Sequence, residues 1–202
     1  MSDLAYIGKS VPRVDAPEKV TGRALYTMDL LLPRMLTGKL KASEYPHALI
    51  KNIDTSRAKA LAGVLLVLTG EDIPEDVRWG VVPFRYDQIP LARGKVRFIG
   101  ESVAAVVATH EDIAKEALEL IEVEYEDLPA VFDVFEAMQE GAPIIHEDRP
   151  DNIAFTKHME FGEVDKAFDE AHHVSETTTS SSRQAHCAFE THVAISEWSP
   201  GG

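Results

Sequence analysis

The sequence predicts an α+β fold built on two strand–helix–strand units. The clearer unit is Phe98–Glu126. Within it, Val103–Ala108 is an unbroken apolar run of strand length, which fits a strand buried on both faces. A helical period follows, and residues 121–126 then alternate between apolar side chains and glutamates, as expected for a strand with one solvent-facing side. The second unit, residues 48–69, comes earlier in the chain.

The chain begins with residues 1–18, which contain prolines and no helical period and are therefore predicted to form an extended arm. Structured chain is expected from Lys19 onward. A short helix can be capped by Asp54 or Thr55 and ended by Gly63. The elements expected up to residue 69 are strands at Leu36–Lys41 and His47–Ile53, a helix at Thr55–Ala62, and a strand at Val64–Thr69. Residues 70–95 contain three prolines and are predicted to be mostly loop.

The helix of the 98–126 unit is expected to begin at Thr109, whose side chain can form a capping box with Asp112. Its apolar side chains recur at helical spacing. They are Ile113, Ala114, Ala117, Leu118 and Ile121. The sequence therefore places a helix directly between two strands.

The character of the chain changes after residue 127. Residues 128–160 contain three prolines and are predicted to form a linker along the surface, with one helical turn at Asp133–Met138. The remaining predicted elements are a helix at Glu163–Ala171, an extended segment at Val174–Ser182, and a strand at Thr191–Trp198. No return strand follows the turn at Pro200-Gly201, so the chain is expected to stop inside a domain, a frayed tail being the alternative.

Composition limits the possible partners and compartments. The 202 residues allow one domain and part of a second. A net charge of −14, from 34 acidic and 20 basic residues, argues against nucleic acid or an anionic membrane surface as a partner, although acidity also serves solubility alone. A single cysteine excludes a disulfide framework. Because there is no signal pattern and no apolar stretch of about 20 residues, a cytoplasmic protein without a membrane partner is expected.

The residue types that often act as catalytic groups or metal ligands do not form a complete site in this sequence. The closest histidine sets, His172–His173 and His186 with His192, lack the spacing of a helical metal motif. Cys187 could be a nucleophile, but a buried structural thiol is the favoured interpretation. No glycine-rich phosphate-binding loop is present. From the residues alone, therefore, no set of catalytic groups can be identified.

Seven short segments nevertheless occur in a distinctive order. They are Val14–Asp29, Pro46-His-Ala, Ile53-Asp54, Gly63-Val64, Leu91-Ala92, Lys95–Glu101 and Val123–Val131. The ordered set resembles the molybdenum-binding subunit of the xanthine dehydrogenase and aldehyde oxidase family. The resemblance implies that residues 19–127 form that family's α/β hammerhead domain. It also implies that residues 161–202 begin its molybdenum-cofactor-binding domain, after the 128–160 linker.

A further segment, Gln184–His192, resembles the Gln-x-His-x-x-x-Glu segment that opens the family's cofactor domain. In the family this glutamine approaches the oxo ligand of the metal, so the resemblance assigns cofactor binding to Gln184. Two residues depart from the family pattern: Ser102 replaces a common proline, and Arg183 stands where glycine often precedes the glutamine, which narrows the backbone's options. The family's glycine-rich cofactor loop and general-base glutamate have no counterpart here. No catalytic residue is therefore assigned, and the chain alone is expected to be inactive.

The resemblance implies an oxidoreductase, a molybdenum hydroxylase, once the complete protein is assembled. Its cofactor would be molybdenum held by molybdopterin, with [2Fe-2S] and FAD on partner subunits. The implied partners are an iron–sulfur small subunit, a flavin medium subunit and the rest of the large subunit. The implied substrate is a small molecule: an aromatic CoA thioester, as in 4-hydroxybenzoyl-CoA reductase, an N-heterocycle or an aldehyde. The alternative is a non-catalytic hammerhead module used for assembly, or the remnant of a degraded gene.

Overall fold

The computed structural model describes residues 6–80, 86–188 and 190–199. The chain divides into two compact units. The larger unit is residues 34–171, and the smaller unit combines residues 1–33 with residues 172–202. Within the described ranges, no helix has the length and apolar character needed to cross a membrane.

Strands of the larger unit form two antiparallel sheets of three strands each. The strands are β1 (Thr37–Ala42), β2 (Ala48–Asp54), β3 (Val64–Thr69), β4 (Lys95–Val96), β5 (Ser102–Ala108) and β6 (Glu122–Asp127). The first sheet has the order β1-β5-β3, and the second has the order β4-β2-β6. These elements confirm the predicted α+β class and the strands predicted between residues 36 and 126.

The described helices are short. They are α1 (Ala16–Val20), α2 (Ser56–Ala60), α3 (Glu111–Glu119), α4 (Val134–Ala137) and α5 (Val164–Glu170), with 3₁₀ turns at Thr27–Asp29 and Gly70–Asp72. The turn predicted near residue 135 corresponds to α4, whose N-cap Asp133 accepts hydrogen bonds from the backbone N–H groups of Phe135 and Glu136. The helix predicted at residues 163–171 corresponds to α5.

Each predicted strand–helix–strand unit connects the two sheets. In β2–α2–β3 the first strand belongs to the second sheet and the last strand to the first sheet. In β5–α3–β6 the direction is reversed. Because β5 pairs with β3 and β6 pairs with β2, the two units are joined through both sheets.

Two buried apolar clusters form the core, and β5 contributes to both. Val106 on β5 packs with Val67 and with Ala114 of α3 in one cluster. Val103 packs with Val96 in the other. The prediction that β5 is buried on both faces is confirmed for the face of Ala104, Val106 and Ala108, which are all buried. On the other face Val103 is buried, but Ala105 and Val107 are only half-buried.

The start of α3 differs from the prediction. Its N-cap is His110, whose ring nitrogen accepts a hydrogen bond from the Asp112 backbone N–H at 3.3 Å. Thr109 instead donates its backbone N–H to the Gly63 carbonyl at 2.9 Å. The prediction of a Thr109 cap was wrong, because that residue still belongs to the connection that follows β5 and holds it against the 61–64 turn.

Two further expectations do not match the structure. The last residues of the predicted arm form part of α1 rather than extended chain. Residues 172–188 and 190–199 contain neither helix nor strand, so the strand predicted at Thr191–Trp198 is absent from its described residues. An alternating apolar pattern forms a strand only when a second strand accepts its backbone hydrogen bonds. No strand pairs with this segment among the residues described.

Gly70 marks a close approach between two parts of the larger unit. A Cβ atom at this position would overlap the backbone oxygen of Ala92. We expect Gly70→Ala to lower the free energy of unfolding by about 2 kcal/mol or more, because backbone atoms must move to admit the methyl group. Gly38→Ala is the matched control, since a Cβ there meets no atom within 4 Å. Urea unfolding of both variants tests this, and equal stabilities would contradict it.

Candidate functional site

Gln184, the residue assigned to the cofactor by resemblance, lies in the smaller unit. Its side chain is exposed, and its amide Nε2 donates a hydrogen bond to the Ser182 hydroxyl at 3.0 Å. Arg183 is also exposed. The amide is therefore accessible to a ligand, and a contact with a neighbouring hydroxyl is the interaction that orients it.

A contact that the sequence did not predict joins the two sequence motifs of the smaller unit. The Glu190 carboxylate accepts a hydrogen bond from the backbone N–H of Thr27 at 3.1 Å. Thr27 begins the 3₁₀ turn Thr27–Asp29 and belongs to the Val14–Asp29 motif, whereas Glu190 ends the Gln-x-His-x-x-x-Glu motif. A carboxylate satisfies an N–H group at the start of such a turn. Glu190 thus anchors the segment that carries Gln184.

The other candidate residues of this segment are exposed. Cys187 is exposed and has a left-handed backbone with φ of 47°, so the interpretation as a buried structural thiol was wrong. Its short side chain could be buried only if the segment packed against a core, and the segment does not. His186 and His192 are exposed as well. In the described ranges, histidine, cysteine and carboxylate side chains form no group of three or more that could hold a metal ion.

In the larger unit, a second cluster gathers charged residues of the Lys95–Glu101 motif. The Lys95 side chain is only 8% exposed, and its Nζ lies 2.5 Å from a carboxylate oxygen of Glu147. Arg97 approaches the other oxygen at 3.6 Å. The hydrogen bond from Lys95 lowers the pKa of Glu147 to about 2. Glu147 belongs to the predicted linker, so this ion pair holds the linker against β4.

A buried histidine makes a second contact with the same linker. The Nδ1 atom of His47 lies 2.6 Å from the Pro129 carbonyl oxygen. A carbonyl only accepts, so Nδ1 carries the proton and donates. In the neutral ring Nε2 is then an acceptor; it is buried and has no hydrogen-bond partner among the described residues. A cavity of about 420 Å³ lies beside the ring, with Lys95 and Glu147 also in its wall.

Burial changes the proton affinity of two neighbouring groups. It raises the pKa of Glu101, whose carboxylate accepts the Arg97 backbone N–H at 2.6 Å. It lowers the pKa of His146, and the positive charge of Arg97 acts in the same direction. The Glu101 hydrogen bond closes the Lys95–Glu101 motif on itself, and neither Glu101 nor His146 forms a nucleophile–base pair among the described residues. Sequence reasoning missed Glu147, although the Lys95–Glu101 motif contains its two cationic partners.

The Lys95–Glu147 pair gives a test of how the linker is held. We expect Glu147→Gln to lower the free energy of unfolding at pH 7 by about 1 kcal/mol, because a buried ammonium loses its carboxylate; the exposure of Glu147 limits the effect. Glu126→Gln, which breaks the half-exposed Lys51–Glu126 pair, is the control and should lose less. Equal losses in urea unfolding would contradict a special role for the buried pair.

The same variant should change the pH dependence of stability. Glu147 binds its proton near pH 4.5 in the unfolded chain and near pH 2 in the folded chain. Its contribution is therefore complete above about pH 4.5 and is lost as the pH falls towards 2. Unfolding free energies of Glu147→Gln should fall less steeply in this window than those of the wild type.

Comparison with known proteins places both units in one family. Residues 21–129 match the a/b hammerhead domain of aldehyde oxidase and xanthine dehydrogenase, and residues 145–202 match the molybdopterin cofactor-binding domain. The chain is 38% identical to the nicotinate dehydrogenase large molybdopterin subunit of Eubacterium barkeri, over 99% of this chain and 46% of the relative. It is 40% identical to a probable xanthine dehydrogenase subunit of Bacillus subtilis (strain 168), over 92% of this chain and 25% of that relative.

A solved structure agrees with these matches. The reconstituted CO dehydrogenase from Oligotropha carboxidovorans is 42% identical, with a TM-score of 0.64, over 70% of this chain and 18% of that chain. The chain thus spans less than half the length of each of these relatives. The predicted family and fold are confirmed: the chain belongs to the aldehyde oxidase and xanthine dehydrogenase family, as a hammerhead domain followed by the start of a molybdopterin cofactor-binding domain.

Proposed function

We propose that this chain is the N-terminal part of the molybdopterin-binding subunit of a molybdenum hydroxylase. The observation that supports it is the succession of two domain matches, hammerhead and then cofactor-binding, in one chain. We also propose the division into an arm (1–18), a hammerhead domain (19–127), a linker (128–160) and the beginning of the cofactor domain (161–202). A non-catalytic assembly module is the alternative, and the second match argues against it.

The residues of the smaller unit fit a molybdenum ion held by a pterin dithiolene, because such an ion needs no cluster of protein ligands. Gln184 would contribute an exposed amide that can donate a hydrogen bond to an oxygen ligand of the bound group. Glu190 would hold the segment through Thr27. When bound, the cofactor supplies the two-electron oxidation of the substrate. An iron–sulfur small subunit and a flavin medium subunit would carry the electrons away.

The proposed substrate class is an N-heterocycle. Two of the sequence relatives that align over more than nine-tenths of this chain are named for nicotinate and xanthine, which are both nitrogen heterocycles. An electron-poor ring carbon beside nitrogen suits attack by an oxygen nucleophile. The resemblance to 4-hydroxybenzoyl-CoA reductase stays a prediction, and the CO dehydrogenase likeness covers a smaller share of the chain.

Activity of the assembled enzyme tests the substrate class. The enzyme containing this chain should be purified from its native host, and its molybdenum content should be measured first. We expect nicotinate or a purine to reduce an artificial electron acceptor at least about tenfold faster, by kcat/KM, than an aromatic aldehyde, carbon monoxide or an aromatic CoA thioester. Faster oxidation of any of these three would overturn the heterocycle assignment. An enzyme free of molybdenum would overturn the proposed function itself.

Gln184 gives the residue-level test. In the assembled enzyme, Gln184→Ala should lower turnover on the order of 10²-fold, about 3 kcal/mol, because a donor beside a group that changes charge is lost. The melting temperature and molybdenum content should stay close to wild type, since the side chain is exposed.

The matched control is Gln139→Ala, an exposed glutamine whose amide donates to the Phe135 carbonyl of α4. This variant should keep full turnover. Unchanged turnover of Gln184→Ala at full metal occupancy would contradict the assignment. Parallel losses of molybdenum and melting temperature would instead show that Gln184 supports the fold.

A further inference from the structure

The register of the first sheet separates its side chains into two faces of different character. In antiparallel pairing, directly opposite residues share a face. Lys39, Val106 and Val67 form one such row. This face is covered by α3, since Lys39 forms a 2.9 Å ion pair with Glu111 and Lys41 donates to the Leu118 carbonyl at 2.9 Å.

The opposite face is apolar, and the helices that pack most extensively on this sheet in the described part of the chain, α2 and α3, belong to the cluster on the first face. The rows of the opposite face follow from the same register, one residue out of phase. They are Gly38–Val107–Leu66 and Leu40–Ala105–Leu68. We call these six residues the outer face. None of them is charged or polar, and Leu40 and Leu66 remain 59% and 46% exposed.

The bulkiest side chains of the outer face lie on the flanking strands, although Gly38 leaves β1 without a side chain in one row. The central strand carries Ala105 and Val107, whereas the larger leucines lie on the flanking strands. Neighbouring strands are about 4.8 Å apart, so the flanking strands are separated by roughly 10 Å. An α-helix with its side chains is about 10–12 Å across. One helix lying along β5 would therefore span the face from Leu40 on β1 to Leu66 and Leu68 on β3.

The chemistry of the outer face selects the kind of partner. An exposed contiguous apolar surface marks an interaction site, and an interface without polar groups resembles a permanent one. A second copy of this chain is disfavoured as the partner, because each copy carries a net charge of −14. The relatives reach well beyond the aligned part, which is 46% and 25% of their length.

We propose that the outer face is the docking surface for an amphipathic α-helix from the rest of the molybdopterin-binding subunit. With that helix in place, the first sheet becomes a layer with helices on both sides, α3 on one and the docked helix on the other. The proposal rests on the chain belonging to a longer subunit, as proposed above. It does not depend on the substrate or on Gln184.

Site-specific thiol labelling tests whether the outer face is covered. Leu66→Cys places a thiol on the outer face in the assembled enzyme, with Cys187→Ser removing the exposed native thiol. Glu124→Cys, on the exposed side of β6, is the reference. We expect the maleimide labelling rate at position 66, followed by mass spectrometry of that peptide, to be at least tenfold slower than at position 124. Equal rates in native enzyme would overturn the proposal.

Cross-linking identifies what covers the face. A benzophenone side chain introduced at position 66 during synthesis of the subunit should, on irradiation of the assembled enzyme, join that position to a helical peptide of the same subunit. A cross-link to a second copy of this chain, or to another subunit, would overturn the choice of partner. The outcome is separate from the proposed activity, because protection and cross-linking are measured whether or not the enzyme contains molybdenum.

A substitution provides an independent measurement. Leu66→Asp should reduce the recovery of assembled subunit at least tenfold, because the docked helix would bury an unpaired carboxylate. Leu66→Met keeps an apolar side chain of similar volume and should assemble normally. Normal recovery of Leu66→Asp, with a melting temperature equal to that of Leu66→Met, would also overturn the proposal.

Discussion

Strand β5 is the constraint on which the larger unit depends. It is the central strand of the first sheet, so it forms backbone hydrogen bonds on both edges. Its side chains also enter both buried clusters, through Val106 on one side and Val103 on the other. A shift of its strand pairing by one residue would turn each side chain to the opposite face, so both clusters would lose the residues that β5 contributes to them. The positions of α3 and the Lys95–Glu101 motif follow from this strand.

Local periodicity was enough to predict the elements around β5. Apolar runs bounded by glycine or polar residues predicted β3 and β5, and a strict alternation predicted β6. A strand buried on both faces needs a continuous apolar run, whereas a strand buried on one face needs apolar residues at alternate positions. The residues that cap the helices were harder to predict. Thr109 and His110 can both accept a backbone N–H group, and the choice depended on where Gly63 lies in space. In addition, no local residue pattern indicated that the two strands of each strand–helix–strand unit belong to different sheets.

The candidate site was harder to predict, since its contacts join distant residues. Lys95 and Glu147 are 52 residues apart, and neither residue type reveals the other. The buried His47 would pass as an ordinary polar residue in the sequence. Gln184 was identified only through family resemblance, because a single glutamine has no distinctive spacing. Free cysteines are usually buried, but Cys187 is exposed. The general tendency fails here because the segment around Cys187 has no packed neighbours that could cover its side chain.

The hydrogen bond between Thr27 and Glu190 has a consequence for biosynthesis. Its partners are separated by 163 residues, so the N-terminal turn leaves the ribosome long before its carboxylate partner exists. At about 5–20 residues per second, the delay is roughly 8–30 s. During that interval all strands of the larger unit, the last of which ends at Asp127, are synthesised, whereas the opening segment lacks its anchor. The first part of this chain to be synthesised is therefore among the last to be fixed in place.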